Sequence, residues 1–403
     1  MDHVTNNEAS EDTDQTIIAS EDVAEVVHVC DDGPEPMDED DDMDDSVADI
    51  EVTEARAADQ SLPTDDSIQA FTDHHEPVYS VAINPMNPLM VLSGGGNDQS
   101  FIWRLDTGEK VFDIPPHSDS VSGVQFSNDG RFAASGSMDG KIHVVSTDNG
   151  NLIATVEGPN EVACLEWHPR GAVLLAGGED GSLWMWALPA GICMNVFINH
   201  TLPVTCGSFT PDGKHIVSAS EDKSFILWDP KTAAVVTKIS NEDARFHQNV
   251  ITAMDVHKDS TLVMTGDSDG SARLVHLGNG KILGALENHS DSIEAVGFCE
   301  SMPWAATGSV DGCTSVWDVH TLRLRSTLRH DDAVTSIRWH PSRPLLYSAS
   351  ADKTVRLWDI RTGNQERIWT GHQAPILTMD VSKDGSRVVT GSDDGSALVF
   401  AFE

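Results

Sequence analysis

Basic residues are scarce in this chain. Its 403 residues hold 25 Lys and Arg against 65 Asp and Glu, a formal net charge of −40. Binding to nucleic-acid phosphates or anionic lipids depends on Lys and Arg, so direct nucleic-acid contact is not expected. Long apolar runs are also lacking. Nothing approaches the roughly 18 residues of a membrane span, and no basic-then-apolar signal opens the chain. No membrane insertion and a cytoplasmic location are therefore expected. The six cysteines form no CxxC pair and no zinc spacing, and read as free, mostly buried thiols in a reducing compartment.

The charge that is present is unevenly placed. Residues 1–70 hold 24 acids against one base, Arg56. Residues 1–62, centred on "MDEDDDMDDS" (37–46), read as a disordered acidic tail, because self-repulsion and few aromatics oppose a packed core. Such a tail either solubilises the protein or serves as an arm for a basic client.

From about residue 63 to 403 the texture changes to short β-branched and aromatic runs separated by Gly, Asp, Asn and Ser, an all-β pattern. Eight turn-strand segments align on Trp103, Val145, Trp186, Trp228, Val275, Trp317, Trp358 and Phe400, at intervals of 41 to 47 residues. Six residues before each stands an acid (Asp139, Asp180, Asp222, Asp269, Asp311, Asp352, Asp394), with Asn97 in the first unit. Four residues earlier seven units carry a hydroxyl: Ser93, Ser135, Ser218, Thr265, Thr307, Ser348 and Thr390. Ala176 is the exception. Seven units place a histidine before a strand opener: His74, His117, His200, His247, His289, His330 and His372, with Gly158 in the third unit.

These residues resemble the WD-repeat β-propeller family over residues 67–403, and Trp228-Asp229, Trp317-Asp318 and Trp358-Asp359 are literal Trp-Asp pairs. The resemblance implies an eight-bladed propeller in which His, Ser/Thr, Asp and Trp of a blade share one hydrogen-bonded network. The last unit stops at its third strand, whereas "DSIQAFTDH" (66–74) matches a fourth strand. Strand 67–72 is therefore expected to complete blade eight and close the ring, hiding the sheet edges. Two stretches, 162–193 and 292–312, are more specific. They resemble repeats of the angio-associated migratory cell protein family, which is similar to a fungal chaperone of a large-subunit ribosomal protein. That resemblance implies capture of a basic ribosomal N-terminus, with cell migration and angiogenesis as a signalling-scaffold alternative.

No catalytic residue, cofactor or metal site is expected. "GGEDG" (177–181) looks like a phosphate loop, but it recurs in other units as a turn, and Glu179 and Asp180 would repel a phosphate. The Ser/His/Asp sets mimic hydrolytic triads, yet eight near-copies argue against a unique nucleophile. Function then falls to surfaces. Acids free of the blade network stand beside its histidines and aspartates: Glu76, Asp119, Glu161, Glu179, Glu221, Asp291, Asp332 and Asp393. They are expected to form an acidic mouth that receives a basic protein segment on a monomeric, non-enzymatic propeller. The alternative to that reading is acids that merely populate turns. A third reading rests on Trp358, Asp359 and Arg361, which resemble the motif by which some propellers dock on cullin-based ubiquitin ligases.

Overall fold

A computed structural model describes residues 64–402. The acidic tail, Cys30 and the other residues of 1–63 lie outside the described residues. The described chain is all strand and turn, arranged as eight four-stranded antiparallel sheets. Seven of these blades run in simple sequence order from inner to outer strand, beginning at Val78, Val121, Val162, Val204, Ile251, Ile293 and Val334. No described helix is long and apolar enough to cross a membrane.

The eighth blade closes the ring as expected. Its strands Ile376–Val381, Arg387–Ser392 and Ala397–Ala401 are completed by Gln69–Phe71, paired Gln69↔Val399, Ala70↔Leu398 and Phe71↔Ala397. The closing strand is three residues long rather than the six of 67–72. Phe71 is 2% exposed and stacks on Trp103 at 5.1 Å, so it also joins the core between blades eight and one. Ile83 N–H donates to Asp380 across the same seam at 2.7 Å. One short segment thus links the first and last repeats by both a backbone ladder and a buried ring.

Seven of the eight blades hold a form of the polar network that the resemblance implied. In blade four, His200 Nε2 lies 2.8 Å from Ser218 Oγ and Nδ1 lies 3.1 Å from Asp222, while Trp228 Nε1–H donates to Ser218 Oγ at 2.8 Å. The sets His289–Asp311–Thr307–Trp317 and His330–Asp352–Ser348–Trp358 repeat it. Blade two has His117 with Asp139 and Ser135, and blade one uses Asn97 with His74. Three donors and acceptors buried together satisfy one another, which fixes the loop before each inner strand to the same blade's second turn. Burial opposes ionisation of Asp222 and Asp352, but bonds from His200 and Ser224, and from His330 and Thr354, outweigh it and hold both carboxyls far below the usual range.

Blade five corrects the alignment. The acid on His247 Nδ1 is Asp267, at 2.7 Å and buried, not the exposed Asp269, whose carboxylate instead accepts from the Asn249 side chain. In blade three, where the histidine is missing, the Trp186 ring fills the vacated space. A Cβ on Gly158 would stand 2.6 Å from Trp186 Cη2 and Cζ2. Asp180 there is exposed and holds Ser182, whose Oγ accepts from Trp184 Nε1. The cysteines are less buried than expected: Cys299 and Cys313 are buried, Cys164 and Cys206 are half-buried, and Cys193 is exposed.

Candidate peptide-binding mouth

The face that carries the network histidines has an eightfold framework. In every blade, the residue before the network-acid position donates its N–H to a carbonyl in the histidine loop. The donors are Gly96, Met138, Glu179, Glu221, Ser268, Val310, Ala351 and Asp393. Loop and turn are therefore tied together in the same way in every blade.

The structure places all eight sequence-derived acids on this framework. Glu179, Glu221 and Asp393 are bond donors, and Glu161 is the acceptor that Glu179 binds, at 3.2 Å. Glu76, Asp119, Asp291 and Asp332 lie in the histidine loops of blades one, two, six and seven, all exposed. The carboxylates of Asp119, Asp291 and Asp332 each accept from the next residue's N–H, at 2.7, 2.8 and 2.7 Å. None of the eight is in a salt bridge among the described residues. Glu161 and Glu179 lie side by side with Asp119 nearby. The Glu179 charge, with smaller help from burial and Asp119, raises the Glu161 carboxyl above its ordinary range. Lys223 and Lys353 stand in two of the same turns, so cations share this ring with the acids.

Sequence reasoning missed the channel wall. The fifth residue of each inner strand faces inward, and these include Glu166, Asp255, Asp380 and Arg338. Asp255 and Asp380 each accept an N–H from the following blade, from Phe298 at 2.8 Å and Ile83 at 2.7 Å. Glu166 accepts from Gln125 Nε2 at 2.9 Å. Burial pushes Glu166 up to about 7 and raises Asp255 and Asp380, with Arg338 pulling each back. A cavity of about 540 Å³ in this part of the channel is lined by Glu166, Asp255, Glu300, Arg338 and Trp339, among others. The signal was available: four of the eight inner strands carry a charged residue at the same fifth position, and Glu294 is the one other charge in these strands.

The hydroxyls that looked like nucleophiles are enclosed. Ser218, Ser348 and Thr307 have no exposed surface and bond both the histidine and the tryptophan of their blade. Among the described residues, no group of three or more His, Cys, Asp or Glu is arranged to hold a metal.

The repeats match a known profile, the WD domain, G-beta repeat, at 150–187, 191–229, 244–276, 280–318, 322–359 and 363–400. Residues 84–168 match the WD40 domain of anaphase-promoting complex subunit 4. The human angio-associated migratory cell protein is 34% identical over 354 residues, covering 84% of this chain and 81% of that protein. The chain belongs to the angio-associated migratory cell protein family of WD-repeat propellers.

An uncharacterised WD repeat-containing protein of Schizosaccharomyces pombe, 36% identical over 374 residues, is similar across 89% of this family member and 94% of the yeast protein. Among solved structures, Chaetomium thermophilum Sqt1 bound to the N-terminus of the ribosomal protein L10 superimposes with a TM-score of 0.79. It is 28% identical and covers 84% of this family member and 100% of that chain. Saccharomyces cerevisiae Sqt1, 21% identical with a TM-score of 0.77 over 84% of this chain and 99% of its own, shares the fold. The remaining sequence-derived motif, Trp358-Asp359 with Arg361, spans the end of the third strand of blade seven, Val355–Asp359, and the turn that follows it. There the Arg361 guanidinium is paired with its own neighbour Asp359 at 2.7 Å, a geometry that Arg104–Asp106 and Arg245–Asp243 repeat elsewhere.

Proposed function

We propose that this propeller is a non-enzymatic chaperone or adaptor that captures a basic segment of a newly made large-subunit ribosomal protein on its acidic mouth. The observation that carries the reading is the contact of Glu161 with Glu179 beside Asp119. The Glu179 charge raises the proton affinity of Glu161, neither carboxylate is in a salt bridge among the described residues, and an incoming Lys or Arg relieves the repulsion. The likeness to an Sqt1 structure holding a ribosomal protein N-terminus supports the same client class.

The test is titration of the full chain with a basic ribosomal N-terminal peptide over a range of salt. Affinity should fall steeply with salt and with Glu179→Lys or Glu221→Lys. A salt-independent affinity that ignores both reversals overturns the reading. A ligase-receptor role would instead show as loss of an adaptor on Arg361→Ala with those acids irrelevant.

A further inference from the structure

All eight inner strands carry a β-bulge at their second residue, between the register pairs either side of Tyr79, Ser122, Ala163, Thr205, Thr252, Glu294, Thr335 and Leu377. A bulge leaves one residue out of the ladder and re-aims its side chain. In four blades that side chain has a structural task. Ser122, Thr205, Thr252 and Thr335 donate to the carbonyl of the next blade's strand opener (Val162, Ile251, Ile293 and Ile376), with Thr205 and Thr335 both at 2.8 Å. Each hydroxyl also reaches a carbonyl of its own blade, so the four stitch neighbouring blades together at the channel lip.

Blades one, three, six and eight forgo the stitch. Tyr79, Ala163, Glu294 and Leu377 stand where the hydroxyl would be, and none makes the blade-to-blade bond. Tyr79 is 41% exposed, and its hydroxyl has no hydrogen-bond partner among the described residues. Three of the four departures converge. Tyr79, Leu377 and Glu294 line one cavity of about 300 Å³ in the channel mouth, with Arg338 deeper in the same cavity. Tyr79 and Leu377 come from adjacent blades and give it one apolar side, while Thr252, Thr335, Ser336 and Thr378 make much of the remaining lining polar. Glu294 gives it an acid, with one carboxylate oxygen already taken by the Ser292 hydroxyl at 2.6 Å.

We infer that this cavity is a specificity subsite that takes one large apolar or aromatic side chain of the bound segment, flanked by a Lys or Arg that pairs with Glu294. The inference rests on the acidic-mouth reading and adds to it a sequence preference that charge alone cannot supply. Rim acids would recognise any basic chain, whereas an apolar side set beside an acid selects a basic segment with a hydrophobic residue at a fixed place. The bulge hydroxyls of the other four blades show that the fold accepts Thr at this position.

The experiment compares two synthetic peptides of equal positive charge, binding the full chain at one ionic strength. One contains only Lys, Arg, Gly and Ser; the other has a single central Gly replaced by Phe. The wild-type protein should bind the Phe peptide about tenfold more tightly, the scale set by burying one large apolar side chain. The Tyr79→Thr, Leu377→Thr double variant should erase that preference and keep its affinity for the charge-only peptide. Glu294→Thr should weaken both peptides. Equal affinity of the wild type for the two peptides overturns the subsite and leaves the acidic mouth standing. A preference that survives the double variant does the same. If neither peptide binds the wild type, the acidic-mouth reading fails and the subsite fails with it.

Discussion

Glu179 N–H donates to the Glu161 carbonyl at 3.2 Å, and that one backbone bond sets two carboxylates side by side on the rim of blade three. The Glu179 charge holds the Glu161 carboxyl above its usual range. A cationic client binds the ionised form, so its affinity should rise with pH as Glu161 loses its proton. In Glu179→Gln that rise should begin at lower pH, because Glu161 then ionises earlier. Peptide titrations between pH 3.5 and 7, with carboxyl shifts followed by NMR, check both the direction and the partner.

The corrected network of blade five makes a paired prediction. Asp267→Ala removes the buried partner of His247 and should cost about 2–4 kcal/mol in chemical denaturation. Asp269→Ala, at the position the repeat spacing favours, removes only an exposed contact with Asn249 and should stay within about 0.5 kcal/mol. Asp222→Ala in blade four should resemble Asp267→Ala.

Ring closure rests on a three-residue strand, so its removal should be felt by the whole molecule. Deletion of 60–73 should broaden the unfolding transition and lower solubility, since it exposes the edge at Ala397–Ala401. Phe71→Ala alone should cost about 3–5 kcal/mol, because its buried ring spans the cores of the first and last repeats. An unchanged melting profile for the deletion would refute closure by the N-terminal strand.

The channel acid Glu166 provides a test in the opposite pH direction. Its folded-state value of about 7 lies above that of an unfolded glutamate, so the fold favours the protonated form. Stability from this group is present below about pH 4.3 and is lost as pH rises towards 7. Glu166→Gln keeps the size and an acceptor for Gln125 but has no charge to bury. It should therefore raise stability by about 1–3 kcal/mol at pH 8 and leave it unchanged at pH 4. Denaturant melts of both proteins at the two pH values measure this directly.

Much of the fold was legible because a blade is a local unit. Its histidine, hydroxyl, acid and tryptophan sit at fixed offsets; the spacing located blades two, four, six and seven, and the family resemblance it carries supplied the roles of Ser218 and Trp358. It failed at Asp269 because Asp267 lies two residues earlier on the same turn, close enough for either to reach His247. Which one does so depends on how the turn is wound. The third blade was flagged by its missing residues, but that Trp186 would fill the place of the histidine required the packing itself.

The sequence by itself determined the number of blades and the end segment that closes the ring, since both follow from the repeat period and from the strand missing in the last repeat. The buried networks came from the family resemblance those repeats carry. Only the tertiary structure decided which residues of different repeats meet. Neighbouring inner strands are about forty residues apart, and curvature of the ring alone brings Thr335 to Ile376, Asp380 to Ile83, and Tyr79 and Leu377 into one cavity with Glu294. Contacts between blades carry no local spacing signal, because the geometry that creates them belongs to the closed ring and to no single repeat.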